Sequence, residues 1–504
     1  MPNDADSDSA NADPPSTSGG IFAGSWHFAV TGGTFNSINN QSNVILGSSA
    51  SVSSDLRVIS LGDIHLKHEI RLHGAASTVR RVRRLYTAKV HAQNSPITVA
   101  MYQGLGAEEE WRKDMAKYSS VRHSNIVQIH ATASLSNIHA AIFHDDLIPF
   151  QHFLGRYLHS HFLTVYIYAY CSFEFDAARD YFYSAFKRLL SEGNCTFWIR
   201  RSTGQLCVDL VPGPIIYWSS LVDETVSSPK RIASLHAPNH ESMVINSLTL
   251  AQYHQICYWD LSRPRSITIS DPVALKLGAV YFCSSDAPRA CFSSDHLEGL
   301  IEIACSPDVD FHAGDWLGAP GQIMENGWTR FTSSDVLNYN ISLEVEHKNH
   351  ECWLDQANCV FSQLQIRSNL EKYHVTDSIC FEIKSVATTA EDHPTGYLFL
   401  CPPKSFESGP SSFRWPECPA YWSLDPSGSQ RLSKDDADKL GFSPLRVNTI
   451  LWTNFWPGSV YNGLRQFHKA KGFDSDSCDL ARHLGHEFYQ ISSGINTQGF
   501  LFEG

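Results

Sequence analysis

The sequence predicts an α+β protein in which a helical connector joins a small N-terminal lobe to a β-rich C-terminal half. Short β-type segments surround one helical segment at residues 108–120, and a very aromatic helical stretch follows at residues 149–190. After residue 265, β-type segments are separated by Gly, Pro, Asn and Asp turns, which is typical of antiparallel sheet. With 504 residues, of which 42% are hydrophobic, the chain can form several domains with sizeable cores.

The overall charge argues against two classes of partner. The chain carries 39 Lys+Arg against 52 Asp+Glu, a formal net charge of -13. A nucleic-acid-binding surface needs a basic face that neutralises phosphates, and an anionic membrane surface also attracts basic segments. No run of about 18–20 apolar residues, the length that spans a bilayer, occurs in the sequence. We therefore expect neither a nucleic-acid partner nor a membrane.

The N-terminus and the cysteines indicate a cytoplasmic protein. Residues 1–20 are acidic and rich in Ser and Pro, which predicts a disordered tail rather than a signal peptide. The 13 cysteines are scattered without a C-x-x-C pair, so we expect reduced and mostly buried thiols. The 24 histidines show no zinc-ligand spacing, and no metal site is predicted.

Residues 21–55 predict a short β-hairpin motif and a Ser-rich linker. Trp26, Phe28 and Val30 alternate as in a strand, and Gly32-Gly33 marks a turn. Alternating aromatic and β-branched residues of low charge can also pair between chains. The segment 21–46 is therefore either a simple edge hairpin or a strand for self-association.

The remaining chain divides into three predicted regions. Residues 56–150 form a lobe of short strands around the helix 108–120, which opens with three glutamates that suit the positive end of the helix dipole. Its apolar residues recur at helical spacing and predict a buried stripe of Trp111, Met115 and Tyr118. Residues 151–265 form a helical, aromatic connector with one β-hairpin at 196–211. Residues 266–504 form a β-rich domain with helices at 352–369, 460–471 and 479–484.

Four segments in the lobe carry a family resemblance. They are RRLYTAKV at 83–90, ITVAMYQ at 97–103, SNIV at 124–127 and AAIFHDD at 140–146. In this order, with the helix between the second and third, they resemble the N-terminal lobe of a protein kinase. More broadly, segments such as RHSNIVQ, TFWIRRSTG and YWSLDPSG resemble a group of fungal kinase-like proteins. The resemblance implies a reduced kinase-like lobe at residues 56–150.

The resemblance also implies that the catalytic groups are degenerate. Tyr102 stands where the family has the lysine that holds the phosphates, and Asp114 falls where the helix glutamate pairs with it, so we expect no ion pair there. Asp209 takes the place of the metal-binding aspartate without its glycine, and Gly74 is the one glycine where the phosphate-covering loop has three. Residues 187–194 offer no catalytic base. Binding of ATP and magnesium is doubtful, and no cofactor is expected.

Three further clusters are candidate sites. Asp260 lies in CYWDL, which imitates a catalytic loop but follows the hairpin, in the wrong order for a kinase. Asp145 and Asp146 are adjacent carboxylates beside an aromatic helix and could bind Mg²⁺, although a turn or helix cap explains them as well. The basic cluster at residues 80–84 predicts a solvated strand face, with a phosphate or acidic partner as the alternative.

Three functions follow from these observations. The first is a catalytically degenerate kinase-like scaffold or regulatory protein that has an unidentified protein partner and no phosphoryl transfer. The second is an enzyme of another class, acting on an apolar small molecule through an aromatic pocket with the Asp145 and Asp146 pair. The third is a self-assembling interaction module that uses residues 21–46. The candidate catalytic residues are Asp145, Asp146, Asp209 and Asp260.

Overall fold

A computed structural model describes most of the chain and shows mixed helices and sheets. The described residues are 56–72, 82–91, 96–214, 216, 218, 240–269, 273–284, 289–292, 300–307, 309–336, 339–347, 350–385 and 394–492. The predicted tail 1–20, the motif and linker 21–55, and Gly74 lie outside these residues. The α+β class predicted from sequence is confirmed.

The chain forms two compact units, each of which is discontinuous in sequence. Of the described residues, the first comprises those within 56–153 and 173–216, and the second comprises those within 154–172 and 240–492, with residue 218. Residues of the predicted connector 151–265 fall in both units. Its hairpin pairs with strand residues 147–149 of the first unit, whereas the helix ending at Trp259 is followed by the strand at residues 263–269 in the large sheet of the second.

A six-stranded sheet organises the first unit. The strand order is β1-β5-β6-β4-β3-β2, antiparallel except for the parallel pair β1 and β5. The side chains of β4 are buried apart from the last, so this strand lies at the centre of the core. The strands are β1 Arg57–Val58, β2 Ile64–Ile70, β3 Arg83–Val90, β4 Ile97–Gln103, β5 Ile129–Leu135 and β6 Ile138–Phe143.

The helix predicted at residues 108–120 forms as α1, Ala107–Ser119. Gly106 precedes it with φ of 80°, a left-handed conformation that glycine adopts without steric cost. The predicted stripe of Trp111, Met115 and Tyr118 is buried, and Asp114 is buried beside it. The helix thus presents one carboxylate, that of Asp114, to the inside of the unit.

A second, three-stranded sheet completes the first unit. Its order is β7-β8-β9, and β8 with β9 forms the hairpin predicted at residues 196–211. The strands are β7 Leu147–Pro149, β8 Thr196–Arg200 and β9 Leu206–Asp209, and the helices between β7 and β8 are α2 Phe150–Leu154 and α3 His161–Phe186. Residues 161–172 of α3 belong to the second unit and residues 173–186 to the first.

A nine-stranded sheet forms the core of the second unit. The order is β13-β10-β24-β19-β12-β14-β25, with β18 also pairing with β19 and β15 with β18. Alternate residues of β19, such as Ile379, Phe381 and Ile383, are buried in the main hydrophobic cluster, as the period of a strand requires. The strands are β10 Arg263–Ile269, β12 Ala279–Cys283, β13 Arg289–Phe292, β14 Leu300–Cys305, β15 Phe311–Ala313, β18 Asn340–His347, β19 Tyr373–Ser385, β24 Leu445–Phe455 and β25 Gln490–Ile491.

Two smaller sheets and seven helices complete the second unit as described. The small sheets contain β11 Leu275–Lys276, β16 Gln322–Ile323, β17 Thr329–Thr332, β20 Tyr397–Leu400, β21 Glu407–Gly409, β22 Ser412–Phe413 and β23 Ala420–Ser423. The helices are α4 His240–Ser247, α5 Leu250–Trp259, α6 Ser333–Val336, α7 Ala357–Gln363, α8 Lys434–Lys439, α9 Gly458–Ala470 and α10 Asp479–Leu484. No helix in the described part of the chain has the length and apolar character needed to cross a bilayer.

The prediction that the cysteines are reduced is wrong for one pair. Cys359 and Cys478 form a disulfide that links α7 to the N-terminus of α10, with a Cα–Cα distance of 5.9 Å. The two cysteines are 119 residues apart in sequence, so spacing arguments could not pair them. Other cysteines, among them Cys195, Cys207 and Cys257, are buried thiols as expected.

Candidate functional site

Three of the predicted residues meet inside the first unit. Tyr102 lies near the end of β4, Asp114 on α1 and Asp209 at the end of β9, and each is at most 1% exposed. The Tyr102 hydroxyl donates a hydrogen bond to Asp114 Oδ2 at 2.8 Å. A neutral phenol therefore occupies the position where the family resemblance puts a lysine, and it still contacts the carboxylate on the helix.

Arg83 supplies the cation of this cluster. In the β3–β4 ladder it lies directly opposite Tyr102. Its Nη2 donates to Asp209 Oδ2 at 2.7 Å, and its Nε donates to the Tyr102 hydroxyl at 3.1 Å and lies 3.6 Å from Asp114 Oδ2. One guanidinium thus contacts both carboxylates and the phenol, which its fixed fork of N–H donors makes possible.

Two residues of α1 complete the network. Tyr118 donates a hydrogen bond to Asp209 Oδ1, and its hydroxyl accepts one from the Leu210 N–H at 3.1 Å. Lys117 Nζ lies 2.9 Å from Asp114 Oδ1. Each oxygen of both carboxylates therefore has a partner. We call Arg83, Tyr102, Asp114, Lys117, Tyr118 and Asp209 the Arg83 network.

The Arg83 network is electrically balanced and largely shielded from water. Arg83 and Lys117 offset Asp114 and Asp209, and the side chains of Arg83 and Lys117 are only 12% and 16% exposed. Burial by itself lowers the pKa of Arg83, but Asp209 and the other acidic groups outweigh it, and the net pKa lies above the ordinary value. Burial also raises the pKa of Tyr102 and of Tyr118, so both phenols stay protonated and act as donors.

One sequence expectation is corrected here. Residues 80–84 were expected to form a solvated strand face, and of the two arginines on β3 only Arg84 is exposed, while Arg83 turns inwards. The alternation of side chains along β3 explains the difference, since neighbouring residues face opposite sides of the sheet. No ion pair was expected between Tyr102 and Asp114, and a hydrogen bond joins them; the cations near Asp114 are Lys117 and Arg83.

The Arg83 network leaves none of its charged groups unpaired. Phosphoryl transfer requires a cation that contacts the phosphates and a carboxylate that holds the metal ion. In this cluster the guanidinium is held by Asp209, and Asp209 is held by Arg83 and Tyr118. The arrangement can bind the strands and α1 together, whereas phosphate or metal binding would first have to break these pairs.

Asp145 and Asp146 are paired with the β8–β9 hairpin. Arg200 forms an ion pair with Asp145, which also accepts a hydrogen bond from Ser202 at 2.9 Å. Arg201 Nε donates to Asp146 Oδ2 at 2.6 Å. The carboxylates thus fix the hairpin against the turn that precedes β7, and they line neither of the two cavities described below.

Asp260 belongs to the second unit and ends a helix. The segment that imitates a catalytic loop, residues 257–261, mostly falls on α5, and Cys257 and Tyr258 are buried there. Asp260 is the C-terminal cap residue, and its N–H donates to the Ile256 carbonyl at 2.9 Å. The structure therefore gives this segment a helical conformation rather than that of a catalytic loop.

Two cavities in the described part of the chain differ greatly in size. The first, of about 20 Å³, lies in the first unit next to the segment after β7 and is lined by apolar groups of Leu72, Phe150, Phe197 and Ile216. It can hold about one water molecule, whereas ligand pockets are typically of several hundred Å³. The second, of about 300 Å³, lies on the outer face of the nine-stranded sheet, where its lining includes Glu344, Asp377 and Trp452.

Sequence reasoning missed Arg83 and Tyr118 as parts of the site. A signal for Arg83 was present, because pairing residues 83–90 with 97–103 as a hairpin places Arg83 opposite Tyr102. Tyr118 lies one helical turn beyond Asp114, so both occupy the same face of α1. Its interpretation as an apolar stripe residue overlooked the hydroxyl group.

No protein-family model matches the sequence, and no curated protein matches it significantly. Within the described residues, no group of three or more His, Cys, Asp or Glu side chains is arranged to hold a metal ion.

Proposed function

We propose that the protein is a kinase-like scaffold or regulatory protein that does not transfer phosphate. The observation that supports this proposal is the Arg83 network, in which the positions resembling those of a kinase are filled by mutually paired side chains. The same contacts join β3, β4, β9 and α1. They therefore serve the stability of the unit in place of nucleotide chemistry.

The cost of opening the Arg83 network supports the same proposal. To bind a metal ion, Asp209 would have to leave Arg83 and Tyr118, and the guanidinium would lose its strongest partner while remaining 12% exposed. Breaking a buried ion pair by removing one partner typically costs about 3–5 kcal/mol. The contacts made by a magnesium nucleotide would therefore have to exceed this free energy before the nucleotide could bind.

A phosphoryl-transfer assay tests the proposal. Purified protein is incubated with magnesium and γ-labelled ATP, with a generic acceptor protein and alone, beside an Asp209→Asn variant. We expect no label transfer above the buffer control for either protein. Transfer by the wild-type protein that the Asp209→Asn variant lacks would overturn the proposal.

A thermal-shift measurement tests nucleotide binding separately from transfer. A ligand present at a hundred times its Kd stabilises the native state by about 2.7 kcal/mol, which gives a clear rise in melting temperature. We expect no rise with ATP, with or without magnesium. A rise that requires magnesium would contradict the view that Asp209 is withheld from metal ions.

The two other functions predicted from sequence have less support. The enzyme that would use Asp145 and Asp146 needs carboxylates facing a cavity, and both are ion-paired with the β8–β9 hairpin. Self-association through residues 21–46 stays a prediction, because these residues lie outside those described. Deleting them should convert an oligomer to a monomer in sedimentation, and an unchanged sedimentation coefficient would exclude this role.

A further inference from the structure

The last described residues of the second unit form a short segment that ends beside strand β14 of the large sheet. After α9, residues 473–492 run through α10 to the two-residue strand β25; we call these residues the strap. One covalent bond, the disulfide between Cys478 and Cys359 of α7, holds the strap near its beginning. Beyond Cys478 the described contacts of the strap with the unit are non-covalent.

Apart from the disulfide, the strap is held by hydrogen bonds and by the buried side chains of Leu480, Ala481 and Tyr489. His486 Nδ1 contacts Asp355, and Gln356 donates to the Glu487 carbonyl at 3.0 Å and accepts from the Tyr489 N–H at 2.9 Å. Tyr489 packs edge-on against Trp353, with ring centroids 5.1 Å apart. Asp355, Gln356 and Trp353 immediately precede α7, the helix that carries Cys359. The disulfide and these contacts therefore all hold the strap beside the N-terminal part of α7.

The strap covers the edge of the large sheet. Gln490 and Ile491 of β25 pair with Cys305 and Ala304 of β14, which has no other strand on that side in the described part of the chain. Both strap residues are exposed, so the pairing is stabilised by little apolar burial. If the strap left, β14 would present unpaired N–H and C=O groups, which is the kind of edge that binds an extended peptide.

The two cysteine residues differ in their exposure to solvent. Cys359 is 2% exposed, whereas Cys478 is only half-buried at the start of α10. The disulfide also occurs in a chain whose other described cysteines include buried thiols such as Cys207 and Cys380. A disulfide framework that merely staples a fold is typically denser in cystines than this.

We propose that the Cys359–Cys478 disulfide is a redox-controlled latch that is opened by a thiol reductant and whose reduction releases the strap from β14. A reductant thiolate attacks Cys478 Sγ, forms a mixed disulfide and expels the Cys359 thiolate, which takes up a proton. A second reductant thiol then attacks the mixed disulfide and releases the Cys478 thiol. Two electrons and two protons pass to the protein, and the two reductant thiols become one disulfide.

Peptide mapping without reductant, followed by hydrogen exchange, tests the proposal. We expect a cross-linked peptide that contains Cys359 and Cys478, and its loss after treatment with millimolar glutathione. Amide exchange in residues 479–492 and 303–305 should then rise at least tenfold, while the paired centres of β19 and β24 keep their protection. The Cys478→Ser variant should show the same fast exchange without any reductant.

Controls separate a latch from a structural bond and from general unfolding. Cys418→Ser, which changes an exposed thiol, should leave exchange unchanged with and without glutathione. If Cys478→Ser does not fold, reduction of the wild-type protein provides the same comparison. Three results would overturn the proposal: absence of the cross-linked peptide, a disulfide that glutathione leaves intact, or strap exchange that is the same before and after reduction.

Discussion

At the scale of single residues, the position of Arg83 decides how the first unit is interpreted. The family resemblance places Tyr102 and Asp114 in one site, and in the structure the Tyr102 hydroxyl lies 2.8 Å from Asp114 Oδ2. The positive charge of this site comes from Arg83 on β3 instead of from a residue of β4, and the Arg83 guanidinium is paired with Asp209. Pairwise contacts of this kind depend on strand register and on side-chain direction, which a single sequence does not fix.

Replacing Arg83 tests how much the network contributes to stability. Arg83→Met should lower the free energy of unfolding of the first unit by about 3–5 kcal/mol, because Asp209 is left buried without its cation. Arg84→Met, at the exposed neighbouring position on β3, should change it by no more than about 0.5 kcal/mol. Urea unfolding of both variants measures the difference, and equal small effects would show that the ion pair is not stabilising.

Two buried histidines predict how the stability of the second unit depends on pH. Burial lowers the pKa of His374, which also faces Arg265, to about 3, and it lowers that of His468, which faces His254 and Asp355, to about 3. Their ordinary pKa is 6.5, so below that pH the unfolded chain binds protons that the folded chain does not. The stabilising contribution of these two neutral histidines is therefore fully present above pH 6.5. It is lost progressively as the pH falls from 6.5 towards 3.

The size of this pH effect can be measured directly. At pH 5 each of the two histidines should cost about 2 kcal/mol relative to pH 7.5, since one pKa unit corresponds to about 1.36 kcal/mol. Urea unfolding at the two pH values, followed by tryptophan fluorescence, measures the difference. His374→Gln and His468→Gln should each reduce the slope, and a wild-type stability that does not change between these pH values would contradict the prediction.

At the scale of elements, the sequence predicted helices with strong patterns better than it predicted strand partners. The helix at residues 479–484 has the predicted bounds, and α9 begins two residues before the predicted helix. Of the helix predicted at 352–369, only α7, Ala357–Gln363, is α-helical. The residues before it, His350–Trp353, form a 3-10 turn. The parallel pairing of β1 with β5 joins residues that are distant in sequence and leave no local signal.

The packing of α9 provides a prediction at the same scale. A Cβ atom added at Gly463 would lie 2.0 Å from His161 Cδ2, whereas one added at Gly458 meets nothing within 4 Å. Gly463→Ala should therefore destabilise the unit by about 1–3 kcal/mol through overpacking, despite the better helix propensity of alanine. Gly458→Ala should be neutral or slightly stabilising. Thermal unfolding of the pair checks this, and similar melting temperatures would contradict the close packing of α9 on His161.

At the scale of the whole molecule, the division of the chain follows contacts that the sequence does not reveal. The aromatic stretch was predicted as a connector, yet α3 contributes its first half to one unit and its second half to the other. The disulfide similarly joins segments 119 residues apart. Composition and periodicity report on local structure, and they carry little information on which distant segments pack together.

The two proposals belong to different units and can fail separately. If the protein proved to transfer phosphate, the proposal on the strap and its disulfide would still stand, since the residues of the Arg83 network and those of the strap lie in different units. Conversely, a disulfide that resists glutathione would leave the argument on Asp209 unchanged. The experiments on label transfer and on hydrogen exchange therefore test independent claims.

The central claim is that Arg83 withholds Asp209 from any metal-bound nucleotide. Isothermal titration of the wild-type protein with ATP, in the presence and absence of magnesium, tests this claim most directly. We predict no saturable heat of binding up to millimolar ATP under either condition. Saturable binding that requires magnesium and disappears in Asp209→Asn would contradict the claim.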